Sequence, residues 1–66
     1  MEINEKAIRD LMSEHGWSIT RFAAELGARR TWVSALLNGR KRPSGKFIGQ
    51  FMKRFPEKDL KKYFWA

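Results

Sequence analysis

The spacing of the apolar residues constrains this chain more than any other feature of its sequence. They recur at intervals of three and four, and no segment alternates apolar and polar residues with a period of two. The first spacing is typical of amphipathic helices, whereas half-buried strands alternate. The sequence therefore predicts an all-α fold without strands, in the form of a compact bundle of four or five short helices.

Capping residues separate the first two helices. Asn4 is placed to cap the first helix, which Gly16 ends near residue 15. Ser18 can cap the second helix, and Gly27 ends it in the left-handed conformation that glycine adopts without strain. The second helix is about eight residues long, so packing rather than intrinsic propensity must hold it.

Similar signals divide the rest of the chain. A third helix is predicted over about 30–38, closed by Gly39, and a fourth runs from the cap Ser44 to Pro56. One or two further turns are expected over 57–64. The apolar face predicted for the fourth helix comprises Phe47, Ile48, Phe51, Met52 and Phe55.

Charge is distributed unevenly. The 66 residues carry 14 Lys and Arg against seven Asp and Glu, a net charge of +7, and no acid lies between Leu26 and Pro56. Unmixed positive charge over that length favours a nucleic-acid partner over an ordinary solvated face. The bases of this stretch are Arg29, Arg30, Arg40, Lys41, Arg42, Lys46, Lys53 and Arg54.

Length and composition bear on the number of domains and on the classes of protein to which the chain can belong. A chain this short builds one core, so we expect a single domain over 1–66. It has no cysteine for disulfides or thiolate zinc sites, no apolar run near the ~20 residues of a membrane span, and no signal-peptide pattern. The sequence places no second metal ligand and no catalytic partner near His15. We therefore expect neither an enzyme nor a cofactor, metal or small-molecule ligand.

Two short helices joined at Gly27 predict a helix-turn-helix over about 18–38. Ala23 is small enough for a close helix crossing, and Val33 and Leu36 would bury the inner face of the second helix of the pair. Short polar and arginine side chains remain on its outer face, which suits a helix that enters a groove. These outward residues are Arg29, Arg30, Thr31, Ser34, Ala35 and Asn38.

The segment 18–44 resembles the helix-turn-helix family of lambdoid phage repressors and Cro proteins, and the likeness extends over about 4–56. The matching residues are Phe22-Ala23, Gly27, Val33-Ser34, Asn38-Gly39 and Pro43-Ser44. The chain departs from the family at Arg29, where a capping Ser or Thr is usual, and at Leu37, where a glutamate is common. The resemblance implies a helical bundle that binds duplex DNA, usually as a two-fold dimer, and controls transcription.

The resemblance also implies roles for individual residues, because the start of the recognition helix enters the major groove first. Arginine can donate two hydrogen bonds to guanine, and small side chains can meet a thymine methyl group. The candidates for base contacts are Arg29, Arg30, Thr31, Ser34 and Ala35. The candidates for phosphate contacts are Ser18, Thr20, Trp32, Asn38, Arg40, Lys41, Arg42 and Lys46, with the ring of Trp32 expected to pack partly against the second helix.

Three aromatic residues close the sequence. On a helix, Tyr63 and Phe64 would follow Leu60 onto the core and leave Trp65 outside. The tail either closes the base of the bundle within one chain or forms an isologous dimer contact. In the second case Tyr63, Phe64 and Trp65 would space two recognition helices for a palindromic operator.

Two functions from different classes are therefore open. The first is a sequence-specific DNA-binding transcriptional regulator, a phage or mobile-element repressor or Cro-like protein, homodimeric at least on DNA. It would act in the cytoplasm of a bacterial cell or phage-infected host. The second is a protein-interaction module on the same fold, such as an antitoxin or a repressor-binding partner, which has no need of the acid-free basic stretch. Binding of single strands or RNA has less support, since few aromatics face outward for base stacking.

Overall fold

Five helices make up most of the chain, as the apolar spacing predicts. The computed structural model describes residues 2–65 and confirms a small helical bundle. None of the helices in that range is long and apolar enough to cross a membrane. The helices are α1 (Glu5–His15), α2 (Ile19–Glu25), α3 (Arg30–Leu37), α4 (Gly45–Arg54) and α5 (Leu60–Tyr63).

The predicted caps form. Asn4 Oδ1 accepts a hydrogen bond from Ala7 N at 3.2 Å, and the hydroxyls of Ser18 and Ser44 cap α2 and α4 in the same way. Gly27, between α2 and α3, has a φ of +66°. A side chain there would be strained, so the turn that directs α3 depends on glycine.

A short β-ribbon joins the two ends of the chain, and the expectation of no strands is wrong. Strand β1 (Glu2–Ile3) pairs antiparallel with β2 (Phe64–Trp65), with Ile3 opposite Phe64. The backbone N–H of Asn4 extends this contact by donating to the carbonyl of Tyr63 at 2.7 Å. Two-residue strands are too short to show alternation, so no sequence pattern could have indicated them.

Large aromatic side chains form the centre of the core. Phe51 is 1% exposed, and its ring centroid lies 5.1 Å from that of Tyr63 and 5.2 Å from that of Phe64. Met52, assigned to the same apolar face, is instead 48% exposed. One residue turns a helix by about 100°, which carries Met52 away from the face that packs. The largest fully buried side chains are Phe22, Phe47, Phe51, Phe55, Ile8, Leu11, Leu36, Leu37 and Val33.

A carboxylate ties α2 to α4. Glu25 accepts hydrogen bonds from Arg21 Nε at 2.8 Å and from Arg54 Nε at 3.0 Å. The Arg54 guanidinium also lies over the rings of Trp17 and Phe55, 5.3 Å and 5.0 Å from their centroids. Arg54 is therefore engaged within the fold, and the acid-free stretch does not present all of its bases to a partner.

We expect Glu25→Gln to remove part of the pH dependence of stability. The hydrogen bond from Arg21, and after it that from Arg54, lower the pKa of Glu25 below its ordinary value of 4.5. Because folding favours the ionised form, the stabilisation is complete above about pH 4.5 and disappears as the pH falls through the lower folded value. Thermal unfolding at a series of pH values should therefore give a higher midpoint for wild type than for Glu25→Gln at pH 7. The two midpoints should converge in acid.

The control for this experiment is Glu57→Gln, which alters an exposed carboxylate outside the Glu25 contacts. It should follow the wild-type curve throughout. A gap between wild type and Glu25→Gln that stays constant from pH 7 to pH 3 would mean that ionisation of Glu25 does not stabilise the fold.

Candidate nucleic-acid interface

Helix α3 is fixed by its inner face. Val33 is fully buried and Leu36 is 1% exposed, and both belong to the same core as Phe22 and Ala23 of α2. At the turn, Ala28 N donates to Ala23 O at 2.9 Å, which holds the start of α3 against α2. Because the inner face of α3 packs in the core, its outer face lies at the surface of the protein.

A shallow depression of about 160 Å³ runs along that outer face. We call it the α3 depression. It contains two arginines and no acid, and the backbone N–H of Arg40 donates to the Ala35 carbonyl, which places Arg40 at the far end of the helix. Four of the five candidates for base contacts and two for phosphate contacts meet here. The lining residues are Arg30, Thr31, Ser34, Ala35, Asn38 and Arg40.

A second groove, the α3–α4 groove, lies between the starts of α3 and α4. Arg29 lines this groove together with Trp32 and Lys46, whereas the other base-contact candidates line the α3 depression. The ring of Trp32 packs on Phe47 of α4, with centroids 5.1 Å apart. Trp32 lies about 100° round α3 from Thr31, on the flank that α4 covers. The lining residues are Gly27, Ala28, Arg29, Trp32, Ser44, Lys46, Phe47 and Gln50.

The other candidates for phosphate contacts line neither surface. Lys41 and Arg42 are exposed in the loop after α3, beside a depression that also includes Glu2 and Glu5. Ser18 Oγ accepts a hydrogen bond from Arg21 N, so this oxygen serves as the cap of α2. Neither Ser18 nor Thr20 lines the α3 depression or the α3–α4 groove.

The pairing of charges leaves the basic surface around α3 uncompensated. Within residues 2–65 the ion pairs use acids of α1 and α2: Glu5 with Arg9, Asp10 with Lys6, Glu14 with Lys58, and Glu25 with Arg21 and Arg54. The bases that line the two surfaces take part in none of these pairs. An exposed surface that is lined by cations and by no acid attracts polyanions.

Sequence reasoning missed Gln50. Its side chain lies in the α3–α4 groove, with Nε2 3.5 Å from the position that a Cβ on Gly27 would occupy. Nothing in the sequence indicates this approach, because it depends on how α4 packs against the turn before α3.

The aromatic tail does not offer three surface residues. Tyr63 and Phe64 are 2% and 3% exposed and fill this chain's own core, whereas Trp65 is 45% exposed. The burial agrees with the expected inward and outward sides, but Phe64 and Trp65 lie on a strand, where neighbours point to opposite faces. Of the three tail residues proposed for a dimer contact, Trp65 is therefore the one with a large exposed surface.

The features that bear on function are the α3 depression, the α3–α4 groove and the uncompensated bases around them. His15 lies outside both surfaces and stacks on Trp17, with ring centroids 4.3 Å apart. No family model, no curated protein and no solved structure matches this chain.

Proposed function

We propose that this protein is a sequence-specific regulator of transcription that binds duplex DNA, a repressor or Cro-like protein of a phage or mobile element. Helices α2 and α3 act as a helix-turn-helix, and α3 enters the major groove. The α3 depression carries this proposal, because it gathers arginine and short polar side chains on the outer face of a helix whose inner face is buried.

The dimensions and chemistry of α3 suit the major groove. A helix with its side chains is about 10–12 Å across, close to the groove's width of about 12 Å. Arg30, at the first turn, would donate to guanine O6 and N7, and Thr31 and Ala35 would meet thymine methyl groups. Ser34 is placed to reach a base edge or a phosphate.

Bases at the margins would hold the DNA backbone. Asn38 and Arg40 lie at the far end of the α3 depression, where a phosphate on the groove wall would come. Lys41, Arg42 and Lys46 are exposed cations nearby in the chain, and Ser18 and Thr20 begin α2. Such contacts set affinity and register without reading sequence.

A pair of chains would bind a palindromic operator. Each domain measures 27 × 26 × 20 Å, so two can lie side by side on one face of the duplex, with their recognition helices about 34 Å apart. Trp65 is the exposed tail residue available for a contact between them. We propose weak dimerisation in solution that DNA strengthens, in the cytoplasm of a bacterial cell or phage-infected host.

Titration onto duplex DNA at increasing salt tests the proposal. A dimer that neutralises about 6–10 phosphates should give a slope of log K against log salt between about −5 and −9. At low salt the same titration should saturate at two chains per full-site duplex. A slope shallower than about −2 would mean that the basic surface does not face DNA, and would favour a protein-interaction module instead.

A further inference from the structure

The two arginines at the start of α3 occupy different surroundings. Arg30 lines the α3 depression with Thr31 and Ser34, whereas Arg29 lines the α3–α4 groove with Lys46. Arg29 is the N-cap of α3 and has an extended backbone, whereas Arg30 is the first residue of the helix. Arg29 makes no side-chain cap bond that would draw it back over α3. A partner that lies along the outer face of α3 therefore meets Arg30 at its centre and Arg29 at its margin.

The α3–α4 groove has the chemistry of an anion site. Arg29 and Lys46 are both exposed, no acid lines the groove, and neither base forms an ion pair within residues 2–65. Ser44 and Gln50 add a hydroxyl and an amide. Guanidinium and ammonium groups donate hydrogen bonds and accept none, and together they bring two positive charges to the groove, so they suit an anion such as phosphate.

The lining of the groove also includes two aromatic side chains, Trp32 and Phe47. Trp32 is half-buried, and its ring is held against Phe47 at a centroid distance of 5.1 Å. Aromatic side chains and two cations in one groove match one repeat of the DNA backbone, in which a largely apolar deoxyribose face adjoins each charged phosphate. Bases, by contrast, lie at the bottom of the major groove, where the outer face of α3 would meet them.

We propose, on the basis of the DNA-binding function above, that the α3–α4 groove seats one backbone phosphate and its sugar. Arg29 and Lys46 hold the phosphate together, and the sugar rests on Trp32. Arg29 is then a positioning residue that fixes the register of α3, and of the two arginines only Arg30 reads a base.

The experiment compares Arg29→Ala, Lys46→Ala and Arg29→Lys with wild type. The probes are a duplex that the wild type selects from a random-sequence pool and a scrambled duplex of equal composition. Arg29→Ala and Lys46→Ala should each weaken binding about fivefold on both duplexes and make the salt slope shallower by up to about 1. Arg29→Lys should retain most of the affinity, because a phosphate accepts either cation. Circular dichroism confirms folding, and Lys61→Ala is the control for loss of a remote charge.

A scan with single neutral methylphosphonate linkages identifies the phosphate. At one position in each half-site, the neutral linkage should weaken the wild type, and there Arg29→Ala and Lys46→Ala should add no further loss. The shared phosphate seat would be overturned if Arg29→Ala and Lys46→Ala were insensitive to neutral linkages at two different positions. It would also be overturned if Arg29→Ala lost affinity for the selected duplex alone. Either result would leave DNA binding intact. A wild type with no preference for any duplex would instead overturn the proposed function itself.

Discussion

Phe51→Ala is expected to leave the protein at the edge of unfolding in water at 25 °C. Removing a buried phenylalanine side chain costs about 3–5 kcal/mol. A chain of this length has a total free energy of unfolding of about 3–10 kcal/mol. Phe51 is 1% exposed and has Phe55, Tyr63 and Phe64 as ring neighbours, so its loss opens a cavity between α4 and the C-terminal segment.

Met52→Ala is the matched control, because Met52 is the next residue of α4 and is 48% exposed. Its thermal midpoint should shift by no more than about 4 °C. Thermal and urea unfolding followed by circular dichroism measure both variants. Equal shifts for Phe51→Ala and Met52→Ala would mean that the aromatic core does not hold this fold together.

The sequence was sufficient to predict where α1, α2 and α4 begin, because their N-caps are encoded locally. The last helix is shorter than the expected 57–64, since it begins at Leu60 and Phe64 lies on a strand. Asn4, Ser18 and Ser44 each accept a hydrogen bond from a backbone N–H three residues later, and this geometry depends only on neighbouring residues. The positive φ of Gly27 is equally local. The starts of these three helices could therefore be assigned without knowledge of how the helices pack.

Features that depend on packing could not be predicted in the same way. The pairing of Ile3 with Phe64 joins residues at opposite ends of the chain, and the contact of Trp32 with Phe47 depends on where α4 lies. The sequence also grouped Arg29 with Arg30, since both stand at the start of α3. The extended backbone of Arg29 and the position of α4 separate their surroundings.

Arg30→Ala should lower the affinity for the selected duplex by about 1–3 kcal/mol, or about 5–150-fold, and lower non-specific binding far less. Arg30 is exposed at the first turn of α3 and lines the α3 depression beside Thr31. A guanidinium there can donate two hydrogen bonds to one guanine, whereas scrambled DNA offers only its phosphates. Arg30→Lys should recover part of the affinity for the backbone but not the preference for sequence.

The most direct measurement of sequence reading by α3 is the ratio of dissociation constants on the scrambled and the selected duplex, in wild type, Arg30→Ala and Lys61→Ala. All three proteins are titrated at one salt concentration after circular dichroism confirms that they are folded. Reading through the outer face of α3 predicts a high ratio that Lys61→Ala preserves and Arg30→Ala reduces toward one. Equal losses on both duplexes in Arg30→Ala, with the wild-type ratio unchanged, would contradict it.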